Sequence, residues 1–429
     1  MPRLVARLTR LGAVLLVLVV LAGVLGALGL RSTDHGRRPL LQPLGRAPVA
    51  VDDRTAAVRA LLDERAAAVA HHDRALWLST VDPRATAFRA QQARVFDALQ
   101  AVPVQDWHYD LDPSAQQPVN KALDRLRGRG WWVPGVTLHY RLTGFDAAPT
   151  AEPQRLTFVP SSGHWYLAAD SDAGGTSPRS IWDGGPVVVV RGRSSLVLGH
   201  PSSRRTLQTI ADAVDSAVPR VTSVWGTHWA QKAVVLVPSS TAELEQLVGS
   251  DGDYSRIAAV ATAELAGSRA VGDRIIVNPR NFTKLGSLGR RVVLTHEVTH
   301  IATRAQTAVG TPTWLVEGFA DYVGYVGIDL PYRVSAQELR GQVRRGRVPA
   351  HLPSDADFAG SNPKLAQVYE QAWLAVTLLA RQHGRDGLLR FYRSVGSGRT
   401  PDAALQSLFG TDLETFTRAW RRDLEERLG

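Results

Sequence analysis

Apolar positions recur along the chain with two different periods, and these periods predict where helices and strands lie. Between residues 52 and 101 they repeat at helical spacing, with Val58, Leu61 and Val69 on one side of the first predicted helix. Further on they alternate, as in "VTLHYRL", and a hairpin is predicted around Pro160. Helices followed by an antiparallel sheet predict a small α+β domain over residues 52–170, similar in architecture to the NTF2-like cone fold.

The pattern changes again after the segment 171–186, whose Gly, Pro and Ser content predicts a linker. The continuous apolar runs "VVVV" (Val187–Val190) and "AVVLVP" (Ala233–Pro238) are typical of buried strands, with a helical stretch between them. The run "DRIIVNP" predicts another strand, whose edge we expect to pair with an extended peptide. From Leu288 the pattern is helical, so residues 187–429 predict a second α+β domain with a helical C-terminal part.

The N-terminal residues carry a third pattern. Leu11–Leu30 is an apolar run without a charge, and as a helix it is about 30 Å long, enough to cross the hydrocarbon core of a membrane. The arginines within residues 1–10 indicate that this end stays cytoplasmic, which places the rest of the chain outside. We therefore predict a single-pass membrane anchor followed by a linker over residues 31–51. The alternative is a signal peptide cleaved near Ala27, which would give a secreted protein.

Composition removes several classes of function. The chain has 429 residues, 44% hydrophobic and 21% charged, as expected for globular domains. It has no cysteine, which excludes disulfides, thiolate metal sites and a cysteine nucleophile. The net charge is +10, but no nucleic-acid-binding motif accompanies it, so no nucleic-acid partner is predicted. The oligomeric state is left open.

Candidate chemistry begins at "HEVTH", residues 296 to 300. A spacing of four residues places His296 and His300 one turn apart on the same helical face, where both imidazoles can bind one ion. Glu297 lies beside them and can reach a water on that ion without binding the metal itself. Imidazole ligands with one open position suit Zn²⁺. The alternative is two histidines on a solvated helix face.

The segment "TPTWLVEGFADYVG" decides between these alternatives. It predicts a new helix capped by Thr311, with Pro312 at the first position and Glu317 among apolar residues. A catalytic zinc needs a third protein ligand, and a buried carboxylate such as Glu317 can supply it. Asp321, one turn later on the same face, can accept the free ring N–H of a zinc-bound histidine. The sequence therefore predicts a zinc site.

These motifs resemble the gluzincin metallopeptidases, which include thermolysin-like and aminopeptidase N-like enzymes, and are most similar to bacterial peptidase MA-like domains. The resemblance extends over about Val187 to Tyr392. It implies a zincin-type fold, His296, His300 and Glu317 as zinc ligands, and Glu297 as general base. The metzincin pattern does not fit, because Thr303 and Gln306 stand where that pattern requires Gly and His.

The resemblance also implies a group that stabilises the oxyanion. Tyr369 of "VYEQAW" matches in position the tyrosine that aminopeptidase N-like enzymes use, although Ala372 replaces the glycine of their motif. His383 is the alternative, since thermolysin-like enzymes use a histidine. We expect Tyr369 to take this role.

Together these features predict a membrane-anchored zinc peptidase that hydrolyses peptide or protein substrates outside the cytoplasm through a zinc-activated water and Glu297. Two alternatives remain. The chain could be a catalytically silent zinc-bound scaffold or sensor that binds peptides or cell-wall components. It could also hydrolyse another amide or ester on the same fold.

Overall fold

The computed structural model describes residues 53–115, 121–128, 130–174, 177–249, 254, 257–266 and 269–429. The predicted anchor Leu11–Leu30 and the linker 31–51 lie outside these residues. Among the described helices, none has the length and apolar character needed to cross a membrane. The fold is mixed α+β, with about 53% helix and a helical C-terminal part, as the sequence predicts.

The described chain divides into two compact units. The smaller unit comprises residues 53–143 and Pro149–Arg179, and the larger comprises Gly144–Ala148 and Ser180–Gly429.

The smaller unit places three helices before its strands. The helices are α1 (Asp53–Ala70), α2 (Arg74–Ser79) and α3 (Thr86–Leu99), with the short α4 (Asp124–Arg127) further on. The strands are β1 (Val104–Asp112), β2 (Gly135–Leu142), β3 (Thr150–Gln154), β4 (Thr157–Ser161) and β5 (His164–Ala169). The predicted apolar face of α1 is buried, including Val58, Leu61 and Val69.

The strands of this unit are all antiparallel but form two pieces. β1, β2 and β3 make a three-stranded sheet in that order, and β4 pairs with β5 in a separate hairpin. Alternate residues of β2 are buried, and one of them, Val136, shares an apolar core with Phe158 of β4 and with Val58 and Leu61 of α1. The residues on the other face are exposed in β1 and partly buried in β2. The likeness to a cone fold stays a prediction.

The larger unit is built on a five-stranded sheet. Its strands are β6 (Val188–Arg191), β7 (Ser195–Gly199), β8 (Ala233–Val237), β9 (Ala259–Ala266) and β10 (Arg269–Val277). Their order in the sheet is β6-β7-β8-β10-β9; β7, β8 and β10 run parallel, and the two outer strands are antiparallel to their neighbours. The helix α5 (Arg204–Trp225) connects β7 to β8, and α6 (Thr241–Val248) follows β8.

This order corrects one expectation from the sequence. The run "DRIIVNP" forms β10, but β10 is hydrogen-bonded on both sides, to β8 and to β9, so it has no free edge. The edge beside it is β9. Apolar alternation predicts a strand from local residues, whereas its neighbours depend on pairings far apart in sequence, which the local pattern does not contain.

After the sheet the chain is helical. The helices are α7 (Pro279–Phe282), α8 (Ser287–Thr303), α9 (Thr313–Tyr325), α10 (Tyr332–Ser335), α11 (Gln337–Val343), α12 (Leu365–Gly396), α13 (Pro401–Phe409) and α14 (Leu413–Leu428). The helix α8 packs against α5, α9 and β9, and α9 packs against α12. Nearly every residue from Val292 to Thr303 is buried, so the centre of α8 lies in the core of this unit.

The start of α9 differs from the sequence prediction. Pro312 occupies the N-cap, and the hydroxyl of Thr311 donates to the carbonyl of Ala308 instead of capping the helix. The backbone N–H of Thr313 donates to Asp355 Oδ1 at 2.8 Å, so a carboxylate from a distant segment caps this helix. A negative charge at this end is also favoured by the helix dipole.

Two helices of the larger unit meet at a glycine. Gly318 of α9 faces the backbone of α12, and a Cβ at this position would lie 2.4 Å from the carbonyl oxygen of Ala372. No other residue type fits there without moving one of the helices. Ala372 is the residue that replaces the expected glycine, so the close approach is provided by Gly318 on the facing helix.

A buried ion pair ties the end of β7 to α6. His200 Nε2 lies 2.7 Å from Glu243 Oε1, and His200 Nδ1 lies 3.0 Å from the carbonyl oxygen of Pro186. Both ring nitrogens therefore face acceptors, which favours the charged imidazolium. The hydrogen bond with Glu243 raises the pKa of His200 above its ordinary value. Burial alone would raise the pKa of Glu243, but its hydrogen bonds with His200 and Ser239 lower it.

Candidate metal centre

The predicted histidines meet on the buried face of α8. Their ring centroids are 4.7 Å apart with planes at 79°, and the Nε2 atoms of His296 and His300 are 3.0 Å apart. The spacing of four residues brings them together because it corresponds to about one helical turn. Two ring nitrogens at this distance can direct their lone pairs at one shared ion.

Glu317 of α9 completes a group of three donors. Its Oε2 lies 3.2 Å from His296 Nε2 and 3.4 Å from His300 Nε2, and the residue is 1% exposed. Within the described residues neither carboxylate oxygen makes a well-aligned hydrogen bond, although both histidines interact with the carboxylate. Burial alone would raise the pKa of Glu317, but the two histidines outweigh it and lower the pKa to about 2.

Asp321 orients one of the histidines. Its Oδ1 lies 2.8 Å from His296 Nδ1, at the hydrogen-bond distance expected for an N–H donating to a carboxylate. With one proton held on Nδ1, the lone pair of the neutral imidazole is on Nε2, the atom that faces Glu317 and His300. Burial raises the pKa of Asp321, whereas the charge of His296 lowers it. Burial has the larger effect, so the pKa of Asp321 is raised.

Glu297 stands beside the three donors and is not one of them. It is 5% exposed, and its carboxylate accepts a hydrogen bond from the backbone N–H of Ala261 in the edge strand β9. Burial raises its pKa, although the two neighbouring histidines oppose this. The contact with Ala261 ties the carboxylate to the sheet edge, and no sequence signal pointed to it.

Tyr369 lies close to the same centre, from α12. Its ring centroid is 6.4 Å from that of His296, and it packs edge-to-face with Phe358 with the two centroids 5.2 Å apart. The hydroxyl is buried and makes no well-aligned hydrogen bond within the described residues, although Glu317 is close enough to interact with it. Burial, followed by the negative charge of Glu317, raises the pKa of Tyr369 well above its ordinary value, so the phenol keeps its proton.

His383, the alternative oxyanion group, is placed elsewhere. It lies fourteen residues beyond Tyr369 on α12, about 21 Å along the helix axis. Its ring stacks on Phe409 with centroids 3.7 Å apart, next to Gly384, whose positive φ of 70° breaks the helix. It also lines an open surface cavity with Tyr322 and Arg385. At this distance His383 does not reach the donors that Tyr369 faces.

The donor set fits a zinc ion. Two imidazole nitrogens and one carboxylate oxygen, all within 4.8 Å of one another, form one of the potential metal-binding groups of the described residues. Three protein ligands leave one position of a tetrahedral zinc open, as in catalytic sites. The buried oxygens of Glu317, which make no well-aligned hydrogen bond in the described part of the chain, are groups that a cation would satisfy.

The fold is mixed α+β, and His296, His300 and Glu317 form a buried, helix-borne group of donors suited to holding a metal ion. Residues 258–426, from β9 to the last helix, match the family model described as Peptidase MA superfamily. A solved structure, that of native yeast LTA4 hydrolase, is similar over 75% of this chain at 12% identity and a TM-score of 0.35. The chain spans 61% of that protein's length. No curated protein matches the chain.

Proposed function

We propose that the chain is a zinc-dependent peptidase in which His296, His300 and Glu317 hold the metal. When bound there, zinc supplies a Lewis acid that activates water and polarises a carbonyl group. The observation that carries the proposal is the position of Glu297, a buried carboxylate next to the three donors that is not among them. The match of residues 258–426 to the Peptidase MA superfamily supports the same class of reaction.

The residues then have separate roles in hydrolysis of a peptide bond. Glu297 takes a proton from the attacking water as the new C–O bond forms, and delivers it to the amine nitrogen as the C–N bond breaks. Tyr369 donates a hydrogen bond from its phenol to the developing oxyanion, since its hydroxyl is buried, protonated and makes no well-aligned hydrogen bond within the described residues. Asp321 holds the ring of His296 in the orientation that metal binding needs.

The edge strand supports a peptide as substrate. β9 is paired only on its β10 side among the described strands, and its residue Ala261 is hydrogen-bonded to Glu297. An extended peptide that added to this edge would run past the general base. The sequence carries no GxMEN-like exopeptidase motif near residues 258–277, and we therefore propose cleavage within the chain of the substrate.

The location and the partners of the proposed enzyme rest on the sequence alone. The apolar run Leu11–Leu30 and the preceding arginines support a single-pass anchor, with the peptidase outside the cytoplasm and acting on extracytoplasmic peptides or proteins.

The test compares Glu297→Gln with wild type, using the full chain in detergent and a mixture of internally quenched peptides. The substitution keeps shape and hydrogen bonding but removes the basic lone pair. General-base catalysis contributes roughly 10²–10⁴-fold, so turnover should fall by that factor while zinc content and melting temperature stay at the wild-type values.

Glu426→Gln, an exposed glutamate of the last helix, is the matched control and should leave turnover unchanged. Equal turnover in Glu297→Gln and wild type would refute the mechanism. Zinc binding together with peptide binding but no cleavage in the wild type would instead identify the scaffold alternative.

A further inference from the structure

A second group of metal donors lies on the more exposed face of the smaller unit's sheet. His108 on β1 and His139 on β2 are direct cross-strand partners, and Asp110 is two residues beyond His108 on the same face. In the sequence "DWHYDLD" the apolar positions pack inward, whereas the acids and the histidine face outward. The three donor atoms lie within 4.8 Å of one another.

A bulge in β1 produces this arrangement. The register between β1 and β2 shifts between Gln105 and His108, and Asp106 within it has a φ of +56°, a value that is uncommon for a residue other than glycine. Bulges re-aim side chains by adding a residue to one strand. Beyond this bulge His108 faces His139, and the two rings stack with centroids 4.8 Å apart and planes within 9°.

Hydrogen bonding prepares His108 as a ligand. Its Nδ1 lies 2.8 Å from the carbonyl oxygen of Asp106, which can only accept, so the ring proton is on Nδ1. The lone pair is then on Nε2. A backbone carbonyl bonded to the other ring nitrogen is a common partner of metal-binding histidines, since it fixes the tautomer and the ring orientation.

The other two donor side chains, those of His139 and Asp110, are placed where both can bind a cation. His139 Nε2 lies 3.0 Å from Asp110 Oδ2 but makes no aligned hydrogen bond within the described residues. The side chain of His139 is 20% exposed and that of Asp110 is 73% exposed. The exposed carboxylate of Asp110 therefore has the space to approach an ion that the more buried imidazole binds at about 2.0–2.2 Å.

We propose that His108, His139 and Asp110 form a second site for a divalent transition metal of the zinc type. Two imidazole nitrogens and one carboxylate oxygen bind the ion, and solvent fills the remaining position. The site is independent of the proposed peptidase centre, and it uses no residue of that centre.

The experiment measures zinc per chain on the full-length protein in detergent, after equilibration with Zn²⁺ at pH 7.5 and removal of free metal. We expect two zinc ions in the wild type and one in the double variant His108→Ala/His139→Ala. We also expect one in His300→Ala, which removes a donor of the other centre. Asp110→Asn should weaken zinc binding at the second site. Because Asp110 is proposed to bind the ion directly, the loss should exceed the roughly 10–100-fold caused by removing a residue that only hydrogen-bonds a metal ligand.

His164→Ala is the matched control, because His164 is an exposed histidine of the same unit on β5 and should leave two ions bound. The circular dichroism and the melting temperature of each variant in chelator show whether it folds. Two zinc ions retained by the folded double variant would overturn the proposal, as would a single zinc in the wild type that is lost in His300→Ala. If the proposed peptidase centre binds no zinc, the result is distinguishable, because His300→Ala then leaves the zinc content unchanged.

Discussion

The contact between α9 and α12 at Gly318 determines how accurately the proposed metal centre is held. Gly318 is adjacent to Glu317, and the facing helix carries Tyr369 one turn before Ala372. A methyl group at position 318 would lie 2.4 Å from the carbonyl oxygen and 2.7 Å from the carbonyl carbon of Ala372. Backbone atoms of a packed helix cannot turn aside, so Gly318→Ala should push the helices apart.

The size of the effect follows from these distances. Ordinary contact begins at 3.4 Å, so the helices must separate by about 1 Å at this point. Overpacking of this kind costs about 1–3 kcal/mol, and the better helix propensity of alanine returns up to about 1 kcal/mol. A net loss of about 1–2 kcal/mol corresponds to roughly 2–8 °C in the melting temperature of a domain of this size. A displacement of about 1 Å at a catalytic group can cost roughly 10²-fold in rate.

The assay follows melting temperature, zinc content and peptide turnover in Gly318→Ala and in the control Gly341→Ala. At Gly341 the nearest atoms to an added methyl group are in the flexible guanidinium of Arg345, 3.7 Å away. The control should therefore gain slightly in stability and keep its turnover. A Gly318→Ala protein with wild-type melting temperature and turnover would show that the helices do not meet as described.

Three other predictions concern single groups. Tyr369→Phe should reduce turnover by roughly 10²–10³-fold at unchanged zinc content, measured by peptide cleavage and elemental analysis; unchanged turnover would remove Tyr369 from the mechanism. Asp321→Asn should weaken zinc affinity by roughly 10–100-fold in a chelator competition, and equal affinity would contradict its role in orienting His296. The third concerns pH. Because the folded pKa of His200 is raised, the stability it contributes is fully present below about pH 6.5 and is lost as pH rises through the folded pKa. The melting-temperature difference between wild type and His200→Gln should shrink as pH rises, and a constant difference would refute this linkage.

Local patterns were sufficient to predict most of the elements. The four-residue spacings of His296 and His300, and of Glu317 and Asp321, each determine one helical face, and the structure brings both faces together. The alternation of β2 likewise predicted the buried face that is observed. These signals work because helix and strand periods are properties of consecutive residues.

Features that depend on distant pairings could not be read from the sequence. The edge position of β9, the cap that Asp355 supplies to α9 and the hydrogen bond from Ala261 to Glu297 all join segments far apart along the chain. The effect of Ala372 also could not be predicted from the sequence, because it depends on a residue of another helix. It departs from the expected motif, yet the space that the motif's glycine would provide is made by Gly318 across the helix interface.

The proposed metal donors have a consequence for the order of folding. His296, His300, Glu317 and the partner Asp321 come from two consecutive helices, and the pair His296–Asp321 is separated by only 25 residues. Tyr369 joins them from a helix much further along the chain. The entropic cost of closing a loop rises with its length. The hairpin of α8 and α9, which carries the proposed metal donors, can therefore form before α12 brings Tyr369 to the site. Zinc present during refolding should therefore act on the transition state and accelerate folding, whereas Tyr369 should form its contacts late and influence mainly the rate of unfolding.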